Sequence, residues 1–157
     1  MRLNRGWIEA HIPHSGRMCL LDEVLDWEND RIRCASRGQR AADHPLRAYG
    51  RLGIACGIEI AAQTMAVHGA LSAGDSSSRP RAGLLAGVRS VRMYAARLDD
   101  AQTDVISQAT RVAGDAGTAL YEFELSAAGS TLMRGRATVV LDAAGPRLRV
   151  VDMSAPR

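Results

Sequence analysis

Hydrophobic and polar residues alternate with a period of two in the second half of this 157-residue chain. Such alternation is typical of a β-strand that has one face on a core and the other in water. We therefore predict strands over Ala119–Gly129 and Thr131–Asp142. In the first of these, apolar and polar positions separate cleanly into two sets: Tyr121, Phe123 and Leu125 against Glu122, Glu124 and Ser126.

A different pattern occupies the middle of the chain, where Leu52–Ala73 is apolar or small on nearly every face. A helix of this kind is buried in a core or spans a membrane. It contains one carboxylate, Glu59, and an amide one turn later at Gln63, so the two side chains share a face. Because Glu59, Gln63, His68 and several glycines interrupt the apolar run, we expect a buried core helix and no membrane insertion.

The remaining segments complete the predicted order of elements. We expect a short amphipathic helix or turn in residues 1–16, a loop over Gln39–Arg51, a flexible connection over Gly74–Gly83, and a tail after about Asp142 that is only partly ordered. One sheet wrapped around one central helix satisfies this order best, in a single α+β domain spanning residues 1–157. The other predicted strands are Met18–Trp27, Arg31–Gly38, Leu84–Leu98 and Thr103–Gly114.

Composition and charge narrow the function classes. A hydrophobic content of 46% and a charged content of 24% are those of an ordinary globular protein. The net charge of +3 fits an acidic partner, whereas a nucleic-acid partner has little support because only 4% of residues are aromatic and no basic run is present. Every basic residue is arginine, which we attribute to genomic base composition.

The cysteines and histidines favour a reduced, metal-free protein. The three cysteines (Cys19, Cys34 and Cys56) show no C-x-x-C spacing, and no segment resembles a signal peptide, so we expect free thiols in the cytoplasm. No set of Cys and His residues has the spacing of a zinc site, and we expect no metal.

Candidate chemistry centres on Glu59 and on His44, which lies in the loop before the helix. An unpaired carboxylate on a buried helix is costly, which gives Glu59 a functional interpretation. An imidazole in the preceding loop supplies the other half of an acid–base pair. Each residue also has a structural alternative: His44 caps a turn, or Glu59 forms an ion pair with Arg47 or Arg51.

Three segments resemble the β-hydroxyacyl-acyl-carrier-protein dehydratase family, and the layout resembles the hotdog fold. IEAHIPHSGRMCLLDEVL resembles the first segment of that family, DHPLR falls where the family has its catalytic-histidine loop, and GIEIAAQ resembles the helix segment that bears the acid. Within that family, the sequence most resembles the divergent dehydratase subunits of aryl-polyene-type gene clusters. The segments GLLAGVRSVR and LYEFELSA also resemble strands of those subunits. The resemblance covers residues 8–141.

The resemblance implies elimination of water from a 3-hydroxyacyl thioester carried on the phosphopantetheine of acyl carrier protein, giving the trans-2-enoyl thioester without any cofactor bound to the enzyme. It assigns His44 as the base at Cα and Glu59 as the acid. A backbone N–H of Gly53, or of Ile54, would bind the thioester carbonyl, and Gln63 would orient Glu59.

In that family the histidine and the acid of one site come from different subunits, so the resemblance implies a homodimer or a heterodimer. The loop at Asp43–Arg47 departs from the family's usual Gly-His-Phe-Pro-Gly. This leaves two alternatives open: a non-catalytic or half-site hotdog subunit of a heterodimeric dehydratase, and a hotdog acyl thioesterase.

The other polar and nucleophilic residues receive less specific predictions. His14 either lines the mouth of the pocket or only fixes the turn after Pro13. His68 faces away from Glu59 and is structural, and Cys56 is a buried inert thiol. Four arginines are candidates for contact with an acidic carrier protein or its phosphopantetheine phosphate: Arg79, Arg81, Arg89 and Arg92.

Overall fold

The computed structural model describes residues 2–74 and 83–141. Most of the predicted connection at Gly74–Gly83, with Arg79 and Arg81, and the predicted tail after Asp142 lie outside the described residues. Two helices and seven strands are present in the described part: β1 (Leu3–Asn4), α1 (Arg5–His11), β2 (Glu23–Trp27), β3 (Arg31–Ser36), α2 (Gly57–Ala73), β4 (Gly83–Met93), β5 (Val105–Gly114), β6 (Thr118–Ala127) and β7 (Ser130–Leu141).

The strands form one antiparallel sheet in the order β1-β2-β3-β5-β6-β7-β4. The helix α2 packs on one face of this sheet, against β3, β5 and β6. Alternation along β6 is as the sequence predicts, since Tyr121, Phe123 and Leu125 are buried towards the helix. The predicted arrangement of a sheet wrapped around one helix is confirmed.

The helix α2 begins later than predicted, at Gly57 instead of Leu52. The residues before it pair with the chain that follows β4, which itself ends at Met93 and not at Leu98. Leu98 donates its backbone N–H to the Leu52 carbonyl, and Ile54 donates to the Ala96 carbonyl. Because Leu52 and Ile54 already hydrogen-bond to the chain after β4, the helix begins after them.

Gly57 lets the start of α2 approach the sheet closely. A Cβ at this position would lie 2.8 Å from Leu125 Cδ2, which is closer than real contacts allow.

Ile54–Ala73 is long and apolar enough to cross a membrane by length and composition, but half of its most apolar window is buried inside the protein. The stretch therefore serves as the core helix, in agreement with the prediction from its polar residues.

The strand predicted over Met18–Trp27 is also shorter, because β2 begins at Glu23. A single 3-10 turn covers Gly16–Met18, and Cys19–Leu21 after it are buried and belong to no strand. Asp22 is half-buried and donates its backbone N–H to the Ala35 carbonyl of β3. A side chain of α2 binds the backbone before it: Gln63 accepts from the Leu20 N–H at 2.8 Å and donates to the Met18 carbonyl at 2.8 Å. The helix thus takes the place of a strand partner for Met18 and Leu20.

His68 lies on the core side of α2 and is completely buried. Its Nδ1 is 2.8 Å from the Tyr121 hydroxyl and its Nε2 is 3.0 Å from the Glu28 carbonyl. A carbonyl can only accept, so Nε2 carries the proton and Nδ1 accepts from the tyrosine. The prediction that His68 is structural and faces away from Glu59 agrees with this geometry.

We expect the free energy of unfolding to fall as the pH is lowered below about 6.5, the ordinary pKa of histidine. Burial lowers the pKa of His68, and burial with the nearby Arg47 lowers that of His44. A depressed histidine pKa contributes stability that is present above the unfolded-state value and is lost as the pH falls through the folded-state value. Chemical denaturation of His68→Asn at pH 7.5 and 5.5 should show lower stability but a smaller difference between the two pH values than in the wild type. An unchanged difference would contradict this assignment.

Candidate active site

Glu59 occupies the first turn of α2, where the helix dipole favours a carboxylate. Its side chain is about one-third exposed, at 33%, so the prediction of a buried carboxylate is wrong. The exposed part opens into a groove beside the helix. The residue is therefore placed to meet a bound molecule, which a fully buried carboxylate could not do.

Gln63 fixes the position of Glu59 from one turn further along α2. The glutamine is fully buried, and its Nε2 donates to Glu59 Oε1 at 3.0 Å as well as to the Met18 carbonyl. Because its own oxygen accepts from the Leu20 N–H, the amide can be oriented in only one way. The predicted role of Gln63 in orienting Glu59 is consistent with these bonds.

His14 approaches the same carboxylate oxygen from the turn after α1. Its Nε2 lies 2.9 Å from Glu59 Oε1, and both side chains are about one-third exposed. Its Nδ1 is buried and has no hydrogen-bond partner within the described residues. His14 and Gln63 together occupy Oε1, and Oε2 forms no hydrogen bond in the described part of the chain. Oε1 of Glu59 is thus fixed by two neighbours, and Oε2 is available to a bound molecule.

The groove that contains this cluster has a volume of about 530 Å³ and follows α2 from its first turn to its last. Small side chains line the helix side, and a Cβ added at Gly69 would meet no atom within 4 Å. Apolar residues of β4 and β7 form the opposite wall (Leu85, Val139 and Leu141), and polar groups of the β5–β6 hairpin mark the far end (Arg111, Asp115 and Tyr121). This shape suits an elongated, mainly apolar ligand.

His44 is buried, with 8% of its surface exposed, and does not line this groove. Its loop is held by Arg47, which donates to the carbonyls of Gln39, Ala41 and Gly50. Arg47 also pairs with Asp99 at 3.0 Å. The predicted alternative, an ion pair of Glu59 with Arg47 or Arg51, is not observed in the described part of the chain. The loop is a fixed part of the fold.

The ring of His44 accepts a hydrogen bond from the Leu46 backbone N–H at Nδ1, over 3.1 Å. In a neutral imidazole the proton then sits on Nε2, and the ring can donate there but cannot accept a proton. Burial lowers the pKa of His44, which favours this neutral form. To act as a base at Nε2, the ring would have to release the Leu46 amide. The role of His44 as the base stays a prediction.

Of the two backbone N–H groups predicted to bind the thioester carbonyl, those of Gly53 and Ile54, only one is free of a hydrogen bond within the described residues. Ile54 donates its N–H to the Ala96 carbonyl at 3.0 Å and is therefore occupied. Gly53 comes just before the 3-10 turn Ile54–Cys56, and its N–H has no acceptor within residues 2–74 and 83–141. Gly53 does not line the groove of its own chain. Its assignment stays a prediction, now without Ile54 as its alternative.

The three cysteines are free thiols. Cys56 is only half-buried, so the prediction that it is a buried thiol is wrong. Partial burial still raises its pKa, in accord with the prediction of an inert side chain, and burial raises that of Cys34 to about 12. Within the described residues no group of three or more His, Cys, Asp or Glu side chains could hold a metal ion. The site is thus a carboxylate with two nitrogen neighbours at the end of an apolar groove.

The contact between His14 and Glu59 is the feature that the sequence did not reveal. Sequence reasoning offered two positions for His14, the pocket mouth or the turn after Pro13, and the groove includes it. Its only signal was the Pro-His pair that follows α1. Tyr121 and Arg111 at the far end of the groove had no signal beyond strand alternation.

A family model described as ApeP-like, ApeP dehydratase, matches residues 7–145. The chain belongs to this dehydratase family. The match begins within α1 and spans α2 and all strands from β2 onward, and it confirms the resemblance drawn from the three sequence segments. No curated protein sequence matches the chain.

Solved structures similar to the chain share its hotdog fold. A chain of the dehydratase heterocomplex ApeI:P from Xenorhabdus doucetiae matches with a TM-score of 0.77 and 23% identity, over 86% of this chain and 90% of that one. AziG from S. sahachiroi matches at 0.57 and 17%, over 75% and 88%. A thioesterase from Pseudomonas aeruginosa matches at 0.56 and 13%, over 74% and 78%. At these identities the likeness shows the fold alone.

Proposed function

We propose that the protein takes part in the dehydration of 3-hydroxyacyl thioesters on acyl carrier protein to trans-2-enoyl thioesters, in fatty-acid or polyene-type biosynthesis in the cytoplasm. The observation that carries this proposal is Glu59, held at one oxygen and free at the other, at the end of a groove shaped for an acyl chain. Membership of the dehydratase family supplies the reaction type.

Glu59 serves as the acid in this proposal. With Oε1 beside Gln63 and His14, the proton of the neutral acid sits on Oε2, where it can pass to the β-hydroxyl of the substrate as the C–O bond breaks. A base removes the Cα proton, the electron pair forms the Cα–Cβ double bond, and the hydroxyl leaves as water. The proton then returns from the base to Glu59, which resets the site.

We assign the base to a subunit across the dimer interface. Neither His44 nor Gly53 lines the groove of its own chain, so a complete site needs groups from elsewhere. In a homodimer these would be the second copy's equivalents of His44 and Gly53. A heterodimer is the second candidate, in which this chain supplies the acid and a different subunit supplies the base. The Leu46 N–H bond to His44 Nδ1 favours it, because it places the imidazole proton on Nε2 and leaves His44 poorly suited to act as the base. In support of this candidate, a chain with a similar fold belongs to the dehydratase heterocomplex ApeI:P of Xenorhabdus doucetiae.

The partners follow from the substrate. The acyl chain would arrive on the phosphopantetheine arm of acyl carrier protein, and no cofactor bound to the enzyme is required. Arg89 and Arg92 are exposed and remain candidates for contact with that acidic protein.

The test is a mass-spectrometric assay of 3-hydroxyacyl carrier protein with the purified protein, alone and with a second hotdog subunit from the same genome. Loss of water by the protein alone, abolished in His44→Ala, would establish a self-sufficient dehydratase. Activity that appears only with the second subunit, and that survives His44→Ala, would establish the half-site. Release of free acid would identify a thioesterase. No conversion by the protein alone and none with the second subunit would reject the proposal.

His14 is a positioning residue in this mechanism, and we expect His14→Phe to lower kcat by about tenfold to a hundredfold with little change in KM. The reason is that Oε1 of Glu59 loses one of its two neighbours and the carboxyl group can rotate. The matched control is His11→Phe, at a histidine that stacks on Trp7 outside the groove. Partial recovery in His14→Gln would support positioning, whereas equal loss in both histidine-to-phenylalanine variants would contradict it.

A further inference from the structure

The inner face of β5 ends in an arginine. Alternate residues of this strand from Val105 to Ala109 are completely buried, and Arg111 is the next residue in that series. Its side chain is half-buried and lines the groove that contains Glu59. The pattern of the strand calls for an apolar residue at this position, and removing a charge from water is costly. The arginine therefore has an effect on whatever occupies the groove.

The strands β5 and β6 hold Arg111 in place. It lies across from Tyr121 on β6, and a β-bulge with one extra residue of β5 follows directly. Its backbone N–H donates to the Asp30 carbonyl at 2.6 Å, and its guanidinium donates to the Asp115 carbonyl of the hairpin turn at 3.2 Å. The cation is thus kept at the wall of the groove.

Helix geometry gives the distance of Arg111 from the site of reaction. Tyr121, its neighbour across the two strands, contacts His68 of α2 at 2.8 Å. His68 lies nine residues after Glu59, which corresponds to about 13–14 Å along the helix axis. An extended alkyl chain advances by about 1.2 Å per bond, so roughly 11 carbon atoms beyond Cβ of a substrate reach the level of Arg111. A chain of about 14 carbons in total therefore ends beside the guanidinium.

The groove between Glu59 and Arg111 offers a surface of the opposite kind. On α2 its lining residues are small or apolar: Ala62, Met65 and Ala66. Each methylene group that leaves water for such a surface strengthens binding by about fourfold. An apolar chain end that reaches Arg111 instead removes water from a charged group and offers it no acceptor, which costs free energy. The gain from a longer chain therefore stops at this residue.

We propose that Arg111 is a specificity-determining residue that limits apolar acyl chains to about 14 carbons. Shorter chains lie entirely along the apolar part of the groove, and longer chains bring methylene groups against the guanidinium. The inference rests on the proposed acyl substrate and specifies the length of its chain.

Binding of S-alkyl pantetheine thioethers tests this limit without turnover. These probes carry the arm and the alkyl chain of the substrate, and they have no thioester to hydrolyse and no hydroxyl group to eliminate. Isothermal titration calorimetry would measure Kd for chains of about 8 to 18 carbons with the purified protein, alone and with a second hotdog subunit. We expect the affinity of the wild type to rise by about fourfold per methylene up to about 14 carbons and then to level off or fall.

Substitutions at Arg111 separate the effect of charge from that of shape. Arg111→Met replaces the cation by an unbranched apolar side chain, so affinity should continue to rise and the longest probe should bind at least about tenfold more tightly than to the wild type. Arg111→Lys keeps the charge and should keep the limit. The matched control is Arg136→Met on β7, an exposed arginine that does not line the groove, and it should also keep the limit.

Other outcomes would overturn the inference. The same limit in Arg111→Met as in the wild type would place the length-determining residue elsewhere, and loss of the limit in Arg111→Lys would contradict a role of the charge. Wild-type affinity that keeps rising beyond about 16 carbons would mean that Arg111 sets no limit. Because binding of these probes needs neither the acid nor the base, failure of the dehydration assay leaves this result separate, and the reverse also holds.

Discussion

Glu59→Gln should reduce the rate of dehydration by about 10²- to 10⁴-fold, the usual contribution of a positioned general acid. The amide has the shape of the carboxyl group, and its oxygen can still accept from Gln63, but it has no acidic proton to give to the departing hydroxyl. We therefore expect kcat to fall with KM and stability nearly unchanged. The measurement is the mass-spectrometric assay in whichever subunit combination is active.

A matched control is Glu9→Gln on α1, where the carboxylate pairs with Arg5 at 3.1 Å and does not line the groove. This variant should retain full activity. Equal rates for wild type and Glu59→Gln would mean that proton transfer to the hydroxyl takes place elsewhere, and the catalytic assignment would be lost.

Gln63→Leu should have the largest effect on stability, a loss of about 2–5 kcal/mol in the free energy of unfolding. Leucine fills a similar space but leaves the buried Leu20 N–H and the partly buried Met18 carbonyl without their partner, and it removes the Gln63 donor from Oε1 of Glu59. Chemical denaturation measures the first effect, and kcat measures the second.

Gln102→Leu provides the comparison, because within residues 2–74 and 83–141 that glutamine donates only to the exposed carbonyl of Asp100. Its stability should stay within about 0.5 kcal/mol of the wild type, as for most surface substitutions. If Gln63→Leu were no less stable than Gln102→Leu, the two bonds of Gln63 to Met18 and Leu20 would not contribute to holding the segment before β2 on the helix.

The sequence predicted much of the fold because its strongest signals are local. Alternation along β6 and β7 depends on neighbours two residues apart, and the apolar helix is visible over its whole length. The predicted starts of α2 and β2 are wrong where residues distant in sequence hydrogen-bond to the backbone. Leu98 donates to the Leu52 carbonyl, so α2 begins later, and Gln63 takes the place of a strand partner for residues before β2.

The candidate site divides in the same way. Glu59 and Gln63 were found together because one helical turn separates them. The contact of His14 with Glu59 depends on the path of the chain between α1 and α2, which no spacing rule gives. The tautomer of His44 follows from the Leu46 amide two residues away, and that geometry is set by the fold of the loop.

The hydrogen bonds of Arg47 to the His44 loop have a consequence for the kinetics of the proposed two-subunit assembly. Three carbonyls and Asp99 hold this guanidinium within a single chain, so the loop is already ordered before any second subunit arrives. Ordering a flexible loop on association costs free energy and slows productive collisions. A preformed loop avoids that cost, and subunit exchange would then be governed by the encounter of two rigid surfaces and by how fast they separate.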